Sequence, residues 1–256
     1  MKLLIDADFI TYKACAAAED EIDWTSDVIT VVSRFSEVLK NVRFELNRIK
    51  TEFLWDAPEL ILFYSDHKNF RKKIYPDYKG HRNRKKPCGY KRAIRELGEE
   101  YPVIKMDWLE ADDALGIYAT QHPGNIIVSP DKDMRQIPGR LYDLKELTLI
   151  TPEEGERWHY IQTLAGDQTD GYAGVPGYGV KTAVKYLDEN GYTWDSILKA
   201  FESKGMTEED ALTNARLAKI LTHTDYDQTN REPILWTASD ASSRTDDGTA
   251  VQDGTD

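Results

Sequence analysis

Short apolar runs at Lys2–Asp6, Glu59–Ser65, Val103–Met106 and Asn125–Ser129 read as strands, and carboxylates come directly after each of them. Asp6 and Asp8 follow the first run, Asp66 the second, Glu110, Asp112 and Asp113 the third, and Asp131 and Asp133 the fourth. Stretches with helical periodicity separate the runs, an alternation that predicts an α/β fold with a mainly parallel, doubly wound sheet. Sites in such sheets collect outside the carboxyl ends of the strands. One acid after a strand is ordinarily a helix N-cap or an Asx turn. Four successive strand ends carrying acids point instead to a shared site.

The run Glu110-Ala111-Asp112-Asp113 sharpens that expectation, because N-capping and the helix dipole need only one of its three acids. Carboxylates packed so closely repel each other, and a bound cation keeps them ionised and near one another. Oxygen-only ligands suit Mg²⁺ or Mn²⁺ rather than zinc, and none of the five histidines has a metal-binding spacing. No GxSxG elbow or Cys/His pairing points to acyl transfer. In-line displacement at phosphorus, by contrast, builds charge on the entering and departing oxygens, which two cations about 3.5–4 Å apart stabilise together.

The net charge of −12 is unevenly spread. Between Lys68 and Arg92 eleven basic residues face one acid, Asp77, so this segment carries +10 and the rest of the chain −22. That separation predicts a protein that grips a polyanion with one segment and holds cations with others. With Pro76, Gly80, Pro87 and Gly89 and no sustained apolar face, residues 67–92 read as an extended basic arch.

The length of 256 residues allows one large α/β domain or a core with a small appendage. Cys15 and Cys88 make neither a disulfide framework nor a zinc site, which fits a reducing cytoplasm. The N-terminus reads as a buried strand rather than a signal peptide, and no apolar run is long enough for a membrane span. Ser26–Phe53 reads as one long helix, with Val28, Val31, Val32, Phe35, Val38, Leu39, Val42, Leu46 and Ile49 on one face. Helices are also expected at Pro152–Leu164, Val180–Glu189 and Thr207–Leu221. The expected domains are 1–150, 151–237 as a small helical lobe, and a disordered Ser/Thr/Asp/Gly tail over 238–256.

The segment from Gly166 to Thr182 carries two signals. Asp167 and Asp170 add acids far in sequence from the strand ends, where they complete a second metal site. Gly174, Gly177 and Gly179, followed by Lys181 and an apolar helix, form a turn whose backbone N–H groups can approach a DNA phosphate at a helix N-terminus. It is not a Walker loop, because Val180 separates Gly179 from Lys181.

Five motifs in one order, Leu4-Ile5-Asp6-Ala7-Asp8, Tyr78-Lys79-Gly80-His81-Arg82, Leu109 to Asp113, Ser129 to Asp133, and Gly166 to Tyr172, resemble the 5′ nuclease (flap endonuclease) superfamily, PIN-like in fold. The nearest likeness is to the 5′-3′ exonucleases of T-seven-like short-tailed bacteriophages, over about residues 2–237. The resemblance implies a first metal site of Asp6, Asp66, Glu110, Asp112 and Asp113, and a second of Asp131, Asp133, Asp167 and Asp170. It places Lys79 and Arg82 on the scissile phosphate, Tyr78 on a terminal base, and Lys72 and Lys85 along DNA. It makes the Gly174–Lys181 turn a helix-three-turn-helix that takes K⁺.

The implied function is 5′-3′ hydrolysis of duplex DNA with two Mg²⁺ or Mn²⁺ ions, with flap cutting and RNA-primer removal from RNA–DNA hybrids. The implied setting is a monomer in bacterial host cytoplasm, serving phage replication and recombination. Two other readings stand beside it. A PIN-type ribonuclease shares the strand-end acids but leaves the Gly174 turn unexplained; a catalytically inactive DNA-binding scaffold should have lost ligands, whereas all nine positions are acidic.

Overall fold

The computed structural model describes residues 1–24, 27–82 and 85–242. Its elements begin with β1 (Lys2–Asp6), α1 (Ala7–Ala17), β2 (Glu19–Trp24), β3 (Val28–Ser33), α2 (Phe35–Glu52), β4 (Glu59–Phe63) and α3 (Arg71–Ile74). They continue with α4 (Tyr90–Gly98), β5 (Val103–Ile104), α5 (Ala111–Gln121), β6 (Ile126–Val128), β7 (Gly139–Tyr142) and β8 (Leu147–Ile150). After these come α6 (Pro152–Ala165), β9 (Gly166–Asp167), β10 (Tyr172–Ala173), α7 (Val180–Asn190), α8 (Trp194–Glu202), α9 (Glu208–Ala218), β11 (Tyr226–Asp227), β12 (Glu232–Pro233) and α10 (Ala238–Ser242).

Two compact units result, and they do not follow a single cut after residue 150. The first comprises Met1–Phe70, Arg82–Gly155 and Ile220–Pro233; the second comprises Arg71–His81, Glu156–Lys219 and the chain from Ile234 onward.

In the first unit the described strands form a six-stranded sheet in the order β5-β4-β1-β6-β7-β8. All neighbours are parallel except β7 and β8. The pleat of β1 sends Leu3 and Ile5 to one face and Leu4 to the other, and both faces are covered. Leu3 and Ile5 pack with Ile10 and Ala14 of α1 and Val42, Leu46 and Ile49 of α2. Leu4 packs with Ile61, Phe63 and Ile127 beneath Ala114 and Leu115 of α5. The four expected strands are present in the central sheet, and β7 and β8 extend it.

The long helix expected over residues 26–53 starts later. Residue 26 lies outside the described residues, and Val28–Ser33 is a strand paired antiparallel with β2, so α2 begins only at Phe35. Val28, Val31, Val32 and Phe35 have helical spacing, but the run Val28-Ile29-Thr30-Val31-Val32 is β-branched throughout, which favours the extended chain. The Trp24 indole N–H donates to Thr30 Oγ1 across the ribbon at 3.0 Å.

The second unit is helical, and its core joins Tyr160 and Leu164 of α6, Ala183 and Leu187 of α7, and Ala211 and Ala215 of α9. The helix α8, not anticipated from sequence, adds Ile197, Ala200 and Phe201. Thr193 caps it by accepting from the Ser196 N–H, and Thr207 and Asp210 form a capping box on α9. The tail expected to be disordered from 238 instead opens with α10, and residues 243–256 lie outside the described residues.

Leu46 is 1% exposed whereas Phe44, on the other side of α2, is 70% exposed. Leu46→Ala is expected to cost about 2–5 kcal/mol in urea unfolding. Phe44→Ala should stay within about 0.5 kcal/mol.

Candidate metal centre and nucleic-acid interface

Asp6 ends β1, the strand hydrogen-bonded on both sides, and is 8% exposed. Its Oδ2 accepts the Ser129 hydroxyl at 2.9 Å and its Oδ1 the Phe9 N–H at 3.4 Å, which caps α1. Burial pushes the Asp6 carboxyl up to about 6, the Ser129 hydrogen bond opposes that rise, and the charges of Asp8 and Asp131 add to it. No basic side chain offsets this repulsion among the described partners of Asp6. Ser129 also accepts the Asp131 N–H at 3.2 Å, so one hydroxyl ties the acid after β1 to the acid after β6. Asp131 accepts the Asp133 N–H at 2.9 Å and faces solvent.

Asp66 and Asp113 have different surroundings. Asp66 accepts the Lys105 ammonium at 3.0 Å, His67 Nδ1 at 2.8 Å and the Trp108 N–H at 3.1 Å. Burial acts to raise its carboxyl, but the Trp108 N–H, Lys105 and His67 outweigh it and hold Asp66 well below the usual carboxylate range. Asp113 has no exposed surface and accepts the Glu110 N–H and the Leu221 N–H, both at 3.3 Å. Both accept hydrogen bonds from partners within the first unit. Asp113 pins the start of α5, where half-buried Glu110 and Asp112 lie.

Three residues that the sequence reading left without roles hold this arrangement together. Asp8 accepts the Ser65 N–H at 2.9 Å and the Tyr90 hydroxyl. Ser65 Oγ accepts the Ala111 N–H at 2.9 Å, joining the end of β4 to the start of α5. Burial and the Asp8 charge push the Tyr90 hydroxyl far above its ordinary range, so it remains a protonated donor. The legible signal is the pattern Ser65-Asp66 and Ser129-Pro130-Asp131, a serine within two residues of the end of each of two strands.

No three carboxylate, histidine or cysteine side chains among the described residues converge on a ready-made cage. The donor set nevertheless fits a divalent cation at Asp6: oxygen ligands only, a buried carboxylate without a basic partner among the described residues, and two further acids close enough to raise its pKa.

In the second unit the strap Arg71–His81 is organised around Asp170. The Lys79 N–H donates to the Asp170 carbonyl at 2.6 Å, and its ammonium lies 3.4 Å from Asp170 Oδ2. Lys79 has φ +54°, a left-handed conformation that costs a non-glycine residue about 1 kcal/mol or more. Tyr78 donates its hydroxyl to the same Oδ2 at 2.6 Å and stacks on Tyr172. At 1% exposure Tyr78 has no face to offer a terminal base, so the stacking role is corrected: the ring holds Asp170. Arg71, also 1% exposed, anchors the strap by donating to the Leu217 carbonyl in the last turn of α9 at 3.0 Å and to the Lys219 carbonyl just past it at 2.5 Å. Asp167 accepts the Thr169 N–H at 2.7 Å in an Asx turn. Lys72 is exposed in this unit; Arg82 and Lys85 are exposed residues of the first unit.

The three turn glycines divide by role. A Cβ on Gly174 would lie 2.1 Å from the Leu164 carbonyl oxygen, so this glycine allows close backbone packing. Gly177 supplies φ +88°. Gly179 is the N-cap of α7, without a side-chain capping bond and with open space about it, and Lys181 is exposed in the first turn.

A parallel sheet with carboxylates at its strand ends and a helical unit with a glycine-turn helix start define a nuclease fold. The profile described as "5'-3' exonuclease, N-terminal resolvase-like domain" matches residues 1–157, and the chain belongs to the 5′-3′ exonuclease family. It is 27% identical to the exodeoxyribonuclease of Enterobacteria phage T3, over 92% of each chain. It is also 27% identical to the exonuclease of Escherichia phage T7, over 91% of this chain and 92% of that one. Its fold is similar to that of the T5 5′-exonuclease solved with bound divalent zinc, with TM-score 0.62 and 16% identity over 85% of this chain and 88% of that one. It is also similar to the Rad2 catalytic core in complex with DNA substrate, with TM-score 0.52 and 14% identity over 79% and 64%. No helix among the described residues is long and apolar enough to cross a membrane.

Tyr90→Phe removes the donor to Asp8 and leaves a carboxylate oxygen short of a partner. Urea unfolding is expected to show a loss of about 1.5–3 kcal/mol.

Proposed function

We propose that this nuclease hydrolyses duplex DNA from 5′ ends with two divalent cations, Mg²⁺ or Mn²⁺, and that it also cuts 5′ flaps and removes RNA primers from RNA–DNA hybrids. The observation that carries the reading is Asp6: a buried carboxylate without a basic partner among the described residues, beside Asp8 and Asp131 at the ends of adjacent parallel strands. The bound metal in the T5 5′-exonuclease and the bound DNA in the Rad2 core support it. The similarity to the phage T3 and T7 exonucleases supports a role in phage replication and recombination inside a bacterial host.

Asp6, Glu110, Asp112, Asp131 and Asp133 would hold cations in the first unit, and Asp167 and Asp170 are the acids that the second unit offers a cation. Asp66 and Asp113 take the positioning roles described above. When bound, the cations supply charge stabilisation to the entering and departing oxygens of the phosphodiester. The chain's own residues do the rest. Lys79, held by Asp170, presents an ammonium to the non-bridging oxygens of the scissile phosphate as their charge grows, and Arg82 binds the same phosphate. The uncapped N–H groups of α7 and the Lys181 ammonium take a backbone phosphate of the duplex, with K⁺ in the Gly174–Gly179 turn. Lys72 and Lys85 add sequence-independent contacts that weaken as salt rises.

Digestion of 5′-labelled duplex, flap and RNA–DNA substrates tests this. EDTA is expected to abolish cleavage and Asp131→Asn to lower it by at least about 100-fold, a loss of some 2.7 kcal/mol in transition-state stabilisation. Cleavage that survives EDTA rules the mechanism out. Lys79→Ala should lower kcat far more than it raises KM, because its ammonium acts on charge that develops in the transition state. Equal changes in both would reduce Lys79 to a phosphate contact.

A further inference from the structure

Lys86 is an exposed cation held by aromatic rings rather than by an acid. Its ammonium lies 4.4 Å from the centre of the Tyr90 ring and 5.8 Å from that of Tyr12. Both distances fall within the roughly 6 Å at which a ring face attracts a cation. Among the described residues no carboxylate pairs with it. Arg92, farther along the same basic segment, also lies over a ring, Phe35 at 4.0 Å, but Glu96 stands 3.7 Å from it. Asp8, the acid to which Tyr90 is bonded, is not open to Lys86, because the Ser65 N–H takes one of its oxygens and the Tyr90 hydroxyl the other. Tyr90 thus serves both residues, its hydroxyl filling Asp8 and its face holding the ammonium.

The backbone around Lys86 is anchored as well. The Cys88 N–H donates to Glu19 Oε1 at 2.6 Å, and the Tyr90 N–H donates to the Pro87 carbonyl at 3.3 Å. Gly89 makes the turn into α4 with φ +81°. A lysine side chain ordinarily samples many rotamers, and fixing it on a ligand costs entropy. Here the ring contacts and the anchored turn place the ammonium before a ligand arrives, and a ring contact leaves its positive charge uncancelled. All of these groups lie in the first unit, with Asp8 and Tyr12 on α1, the helix that Asp6 caps.

We propose that Lys86 binds a backbone phosphate of the cut DNA strand next to the scissile one, and so holds that strand across the Asp6 centre. The inference rests on the proposed DNA hydrolysis and adds a subsite to it. The Tyr90 side chain separates the ammonium from Asp8, which puts Lys86 beside the acids that would hold cations rather than among them. Its contact therefore belongs to strand binding, whereas Lys79, ion-paired with Asp170 in the second unit, has the role at the scissile phosphate. Asp8 and Tyr90 act on the substrate through Lys86, as positioning residues.

Fluorescence anisotropy in EDTA tests this on duplex and 5′-flap DNA carrying one neutral methylphosphonate linkage, moved stepwise across the cut site. For the parent chain, a neutral linkage neighbouring the scissile one is expected to raise Kd about ten-fold. Lys86→Ala should raise Kd on all-phosphate DNA by about the same factor and reduce the salt slope of log K by about one. It should also be indifferent to the linkage that weakens the parent. Lys86→Arg should bind as the parent does, because a guanidinium keeps the charge and stacks on aromatic rings. With Mg²⁺ present, Lys86→Ala should raise KM more than it lowers kcat, the reverse of Lys79→Ala. Should Lys86→Ala lose its fold by far-UV circular dichroism, Lys86→Gln, which keeps the length of the side chain and removes its charge, takes its place. A neutral variant that binds like the parent, or that remains as sensitive as the parent to every linkage, overturns the proposal and leaves the nuclease reading standing. A parent chain that binds none of these DNAs overturns both.

Discussion

Strand β1 lies between β4 and β6, buried on both faces and hydrogen-bonded on both edges, and it ends in a carboxylate. Taking Asp6 out of water is costly unless something compensates. The compensation in the chain itself is small: one serine hydroxyl and one amide, against the charges of Asp8 and Asp131. A rigid, fully covered sheet holds the acid in place, so the deficit is not relieved by the side chain swinging into solvent. The metal chemistry proposed for this chain depends on that imbalance.

Nearby acids of the same chemical type serve the opposite purpose. Asp66 has an ammonium, an imidazole and an amide as partners, and Asp113 closes two backbone amides beneath α5. Their interactions within the fold are largely complete, and what they contribute is the placement of Glu110 and Asp112. Asp8 belongs with them, since Ser65 and Tyr90 occupy its two oxygens.

The second unit uses the same economy on a basic segment. Arg71 is buried against the Leu217 and Lys219 carbonyls at the end of α9, Tyr78 is buried beside Tyr172, and both serve to present Lys79 and Asp170 as a pair. The left-handed backbone at Lys79 is strain held in place by those contacts. A loop whose composition advertised only positive charge therefore contains one ordered turn with a specific geometry.

The sequence by itself determined the strand alternation, the acids at the strand ends, the segregation of basic residues and the helices α7 and α9, because each is a local pattern legible in the residues of its own element. It misled at Val28–Ser33, where valine spacing fitted a helix and only pairing with Glu19–Trp24 made a strand. It misled again at Tyr78, whose burial comes from residues some 90 positions away. Only the tertiary structure decided which carboxylates already have partners within the fold, because those partners are supplied from afar: Lys105 to Asp66, Leu221 to Asp113 and Tyr90 to Asp8. Residue type states what a carboxylate can bind. Its desolvation and its hydrogen bonds, set by long-range packing, state what it still lacks.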